Sequence, residues 1–139
     1  MREIKFRIWD NLEKDYLNEE DIAIDNLNNI FIFERYDSND SELWYTRLLP
    51  DPDNKRHVIE QYTGLKDKNG TEIYEGDIVR YGRLTYSVGY QLSRFMLCAP
   101  RKLSICLSEL TYDCDTNQLN CEVIGNIHEV NTEEVCPRE

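Results

Sequence analysis

Ile4, Phe6 and Ile8 alternate with Lys5, Arg7 and Trp9, the period of a half-buried strand with one apolar face and one polar face. Asp10-Asn11 then supplies turn chemistry, since both side chains bond nearby backbone amides and tolerate left-handed geometry. A return through Tyr16 and Leu17 predicts an N-terminal hairpin. Ile22 to Ile24 and Ile30 to Phe33 flank the polar run Asp25-Asn26-Leu27-Asn28-Asn29 and predict a second one. Residues 37–57 read as an irregular loop, with Glu42 to Leu49 a short helix or strand inside it and Pro50 to Asn54 exposed. Thr85 to Val88, Phe95 to Cys98 and Leu103 to Leu107 predict further strands, joined by loops containing Gly89 and Pro100. Cys121 to Ile127, rich in branched side chains, predicts a buried strand, and Asn131 or Thr132 caps one last helical turn.

The densest pattern runs from Gln61 to Tyr81. It predicts two strands joined at Asp67-Lys68-Asn69-Gly70, where Asp bonds forward and Gly accepts positive φ, and a second sharp turn at Gly76-Asp77. Gly64, Gly70, Gly76, Asp77 and Gly125 are thus the expected structural turn residues. Six or more short strands, with at most one or two helical turns, imply a mainly β domain over residues 1–139. N-terminal hairpins would accompany a small barrel-like or strongly bent antiparallel sheet, which protects strand edges.

Composition narrows the setting. A chain of 139 residues is one domain's worth, enough to bury roughly two thirds of its unfolded surface. With 27 acidic and 16 basic residues the net charge is −11, which repels polyanions at long range. The exception is Gly82 to Ser108, which contains no acidic residue and carries Arg83, Arg94, Arg101 and Lys102. No apolar run reaches the ~18 residues of a membrane span, and the start has no apolar leader segment, so a cytoplasmic protein is expected. All five cysteines lie in the last third without the spacing of a zinc site, and reduced, buried thiols are expected.

Three blocks carry a resemblance. They are Lys5-Phe6-Arg7-Ile8-Trp9-Asp10; Gln61-Tyr62-Thr63-Gly64-Leu65 through Asp67 and Gly70 to Ile73-Tyr74-Glu75-Gly76-Asp77-Ile78-Val79; and Glu122-Val123-Ile124-Gly125-Asn126-Ile127-His128-Glu129. In this order they resemble the YopX family, small proteins typical of phages and prophages. That family usually has Tyr where His128 stands and a Pro shortly after. The resemblance implies a mainly β fold, a phage-derived gene and a bacterial host cytoplasm, and it brings no catalytic residues and no cofactor.

Candidate chemistry falls in three places. Asp67, Glu72, Glu75 and Asp77, with Glu60 upstream, would hold a hard cation such as magnesium if they converged, as a metal-dependent nuclease or hydrolase requires. Turn geometry is the favoured account of them. The basic window, with Tyr86 and Tyr90 among its cations, has the residue types of a single-strand nucleic-acid site, and also those of a solvated sheet face. Trp9 and Trp44 are interface anchors or core fillers. His57 is expected exposed, and His128 is expected to cap the strand it ends. The leading expectation is a non-enzymatic binding or assembly module. Its working surface is the basic window, the Trp9 face or both, its partner a nucleic acid or a protein, and it forms a homo-oligomer away from any membrane. A small metal-dependent hydrolase and an acidic inhibitor of a host nucleic-acid-binding protein are the alternatives.

Overall fold

The structure, a computed structural model, describes residues 3–17, 22–38, 41–49, 51, 55–99, 104–110, 112–113 and 115–129, without the side chains of 34–38, 41–46 and 112–113. Arg101, Lys102, the Pro100 loop, Cys114, Cys136 and the expected last helical turn lie outside the described residues, as does the Pro50 to Asn54 loop apart from Asp51. The protein is mainly β, with its strands mostly antiparallel and, among the described residues, one 3-10 turn at Leu107–Glu109. It divides into two units, Met1–Arg7 with Ile59–Glu139, and Ile8–Val58.

The strands in chain order are β1 (Phe6–Asp10), β2 (Asp15–Tyr16), β3 (Ile22–Ile24), β4 (Ile30–Ser38), β5 (Ser41–Leu48), β6 (His57–Lys66) and β7 (Glu72–Tyr74). They continue with β8 (Asp77–Tyr81), β9 (Leu84–Gln91), β10 (Arg94–Cys98), β11 (Ile105–Cys106), β12 (Tyr112–Asp113), β13 (Gln118–Leu119) and β14 (Glu122–Asn126). Glu42 to Leu49 is therefore mostly strand, and much of the expected 37–57 loop is an antiparallel ladder, with β4 and β5 in register from Phe31↔Leu48 to Ser38↔Ser41. Polar composition concealed this. A ladder is held by backbone bonds, which any residue except proline supplies.

In the Ile8–Val58 unit both expected hairpins form, with Trp9↔Tyr16 pairing β1 to β2 and Ala23↔Phe31 pairing β3 to β4. Asp25 Oδ1 closes the second turn by accepting the amides of Leu27 and Asn29. Trp9 is buried, edge-on to Tyr16 at 5.1 Å with its indole N–H donating to Asn11, so it is no exposed anchor. Trp44 lies in β5 opposite Arg35. The His57 side chain is likewise buried rather than exposed, and its backbone amide donates to Asp51.

In the other unit, a five-stranded sheet runs β11-β10-β9-β8-β14. It is an open order and not a closed barrel. One edge is the two-residue β11. The other, β14, is interrupted by a bulge between Val123 and Gly125 and is capped by the Asp67 carboxylate on the Val123 amide. Short, bulged or capped edges make closure unnecessary. Gly125 accordingly sits inside a bulged strand, not in a turn, and Gly89 is inside β9. One face of the sheet packs the core of Ile73, Val79, Tyr86, Val88, Leu97, Leu107 and Leu119. In the same unit β7 pairs antiparallel with β6 (Tyr62↔Tyr74) and β13 pairs parallel with it (Gln118↔Lys66).

The N-terminal segment departs from the expected faces at Ile4 and Phe6, while Ile8 is buried as its alternation predicts. Ile4 and Phe6 are 59% and 47% exposed. Lys5 and Arg7 instead turn towards Glu72, Glu60 and Asp77, with their cations over the rings of Tyr62 and Tyr74 at 5.5 and 4.8 Å. Ion pairing, ring stacking and burial of the aliphatic stems hold that face in place of apolar packing.

Candidate functional site

The first cluster is built on Arg7. Its Nε donates to Glu60 Oε1 at 2.8 Å, and its Nη2 donates to Asp77 Oδ1 at 2.7 Å and to the Glu75 carbonyl at 3.2 Å. Glu60 Oε2 in turn lies 3.0 Å from His128 Nε2. Glu60 and Asp77 are both buried. Burial pushes the Asp77 carboxyl above its ordinary range, against the opposing pull of Arg7 and the Tyr74 amide.

Gly76 lies against this chain of charges with φ +83, and a Cβ there would collide with the Glu60 carboxylate. Its amide donates to the Val88 carbonyl and its carbonyl accepts from Ile127. Arg7, Gly76-Asp77 and His128 come from three segments far apart in sequence, and here they join. Such a cluster fastens segments: each buried charge has a partner, and removing one strands the others.

Asp67 is fully buried elsewhere in the same unit. Oδ1 accepts the amides of Asn69 and Thr71, and Oδ2 accepts that of Val123. Glu72 is paired with Lys5. Asp67, Glu72 and Asp77, three of the four carboxylates considered for a metal, are thus engaged separately, and among the described residues no three His, Cys, Asp or Glu side chains are grouped to hold an ion. Gly64 and Gly70 have φ +87 and +83, the left-handed geometry that favours glycine.

The basic window is split. Tyr81↔Leu84 and Arg94↔Gln91 close two-residue turns at opposite ends of β9, so Arg83 and Arg94 are separated by the length of that strand, about 25 Å. Tyr86 is core, not a stacking platform. Tyr90, Arg94 and Phe95 do meet, with the two rings edge to face at 5.1 Å. They border a cavity of about 390 Å³, whose wall also includes Leu65, Cys106 and Ser108.

Above it, Leu92 and Ser93 form the turn with φ +51 and +63. Such a turn normally takes Asn-Gly, because both positions need left-handed geometry. Leu92 is 84% and Tyr90 54% exposed. The sequence carries no turn-residue signal there, so this tip escapes pattern reading. Arg7, Glu60 and His128 escape it as a group because their partners are remote in sequence.

A mainly antiparallel β fold, with a part-buried Arg–Glu–Asp–His cluster fastening segments of one of its units, defines a small β-sheet protein. The chain matches the family model described as YopX protein over residues 5–133 and belongs to that family. Among solved structures it is similar to protein EF1440 from Enterococcus faecalis, with 31% identity, a TM-score of 0.61, and coverage of 93% of this chain and 96% of that one. No curated protein matches it. Among the described residues no helix is long and apolar enough to cross a membrane.

Proposed function

We propose that this YopX protein is a non-enzymatic binding module of the phage or prophage accessory kind, acting in the host cytoplasm and joining protein chains through the β9–β10 hairpin, a second copy of itself first. The carrying observation is Leu92, held in left-handed geometry and 84% exposed at the hairpin tip. Left-handed backbone costs a branched residue about 1–2 kcal/mol, and an exposed leucine returns nothing to the fold. A contact made by the tip would supply the missing gain. Arg94, which closes the turn with Gln91, and Tyr90 one pair further along are residue types enriched in interface hot spots. The splitting of Arg83 from Arg94 weakens the nucleic-acid version of a binding module, since a strand-tracking site needs neighbouring cations.

Sedimentation velocity tests the reading. The wild type is expected to self-associate, and Leu92→Asp to run as a monomer with an unchanged circular dichroism spectrum. A wild type that stays monomeric up to high micromolar concentration overturns the second-copy assignment.

A further inference from the structure

Arg7, Arg56 and Arg80 each have a carboxylate within ion-pair distance. Arg94 has none among the described residues, although the chain carries 27 acidic against 16 basic residues. Where carboxylates are in surplus, a guanidinium without one, at the wall of a cavity, is available to an anion from outside. Arg83 also has no carboxylate among the described residues, but it stands in the β8–β9 turn and lines no part of this cavity.

The rest of the wall describes the ligand. Tyr90 and Phe95 present ring edges and faces, and Leu65 adds apolar surface, while Ser108 brings a hydroxyl. The volume of about 390 Å³ sits within the range of small-molecule sites. We propose that this cavity is a binding site for a small monoanion, a carboxylate on a flat apolar body, with Arg94 holding the carboxylate and Tyr90, Phe95 and Leu65 the body. A single charge fits better than a phosphate. One guanidinium balances one carboxylate, and a protein of net charge −11 repels multiply charged anions.

Cys106 reports on the site. Its Sγ lies in the wall, 3.0 Å from Ser108 Oγ. Ser108 and then Arg94 hold its thiol below the ordinary range, whereas burial and the Asp67 charge push Cys121 up to about 11. A carboxylate seated on Arg94 covers the thiol and cancels the charge that favours thiolate, so it slows alkylation on both counts.

The test uses the full chain carrying Cys114→Ser and Cys136→Ser, treated with iodoacetamide and mapped by peptide mass. The probes are 3-phenylpropanoate and its neutral amide, 3-phenylpropanamide. Carboxylate at about ten times its Kd is expected to slow Cys106 alkylation about tenfold, since about one site in ten is then open. The amide should have little effect, and Arg94→Gln should abolish the protection when each variant is compared with its own unliganded rate. Equal protection by acid and amide, undiminished protection in Arg94→Gln, or no protection together with unshifted Leu65 and Phe95 amide resonances overturns the proposal. The cavity shares Tyr90 and Arg94 with the hairpin surface. Sedimentation reports association and alkylation reports the cavity, so either can fail alone.

Discussion

Gly76 has no space for a side chain because the Glu60 carboxylate fills the position its Cβ would take, while Glu60 itself is fixed between Arg7 and His128. Gly76→Ala therefore meets two costs, left-handed strain at φ +83 and a collision with a buried, paired carboxylate. Together these should exceed about 2 kcal/mol. Gly82→Ala is the control, since Gly82 has φ +65 with nothing near its absent Cβ, and strain alone should cost about 1 kcal/mol. Urea unfolding of both variants checks the difference. Equal losses would mean that the Glu60 contact is unimportant.

Asp67 is predicted to be structural. Asp67→Ala leaves the amides of Asn69, Thr71 and Val123 without their acceptor, and since Asn69 and Thr71 are exposed while Val123 is half-buried the loss should be about 2 kcal/mol. Asp67→Asn keeps one acceptor oxygen and should lose less. Thermal melts with and without magnesium provide the check. A stabilisation of the wild type by the ion that Asp67→Ala removes would restore the metal reading.

Acid should weaken the Ile8–Val58 unit through Asp10. Its hydrogen bonds from Arg56, followed by the amides of Leu12 and Glu13, lower its pKa from 3.8 to about 2. A lowered carboxyl contributes stability that is fully present above 3.8 and lost as pH falls through about 2. Asp77 has the opposite sign, since its raised pKa removes stability as pH climbs through the carboxylate range. Denaturation midpoints measured from pH 5 down to pH 2 should fall more gently in Asp10→Asn than in the wild type. Parallel curves would contradict the assignment.

The hairpin tip should be easy to stabilise. Replacing Leu92-Ser93 by Asn-Gly gives the turn the residues its geometry favours and should add about 1 kcal/mol, read as a higher melting temperature. The same change removes the exposed leucine, so it should also weaken self-association. A variant that is more stable and associates as strongly as the wild type would show that the tip is not the contact.

Local chemistry made much of the framework legible. Asp10-Asn11, Asp25 to Asn29, Asp67 to Gly70 and Gly76-Asp77 announce turns because each depends on the bonding or conformational freedom of its own residues. Alternation of apolar side chains marked the strands between them. The ladder of β4 with β5 was less legible, since backbone pairing leaves little trace in polar side chains.

By itself, then, the sequence determined the β class, most of the turns and the family, all of which depend on residues close together in the chain. The tertiary structure alone decided three things. Arg7 faces Glu60 and Asp77 while Phe6 is exposed, because burying a paired charge network outweighed apolar alternation in that strand. Arg83 and Arg94, near in sequence, stand at opposite ends of β9. Arg94 and Cys106, 12 positions apart, share a cavity wall. Each outcome depends on which strands pair and in what register, and periodicity along one segment carries no record of that.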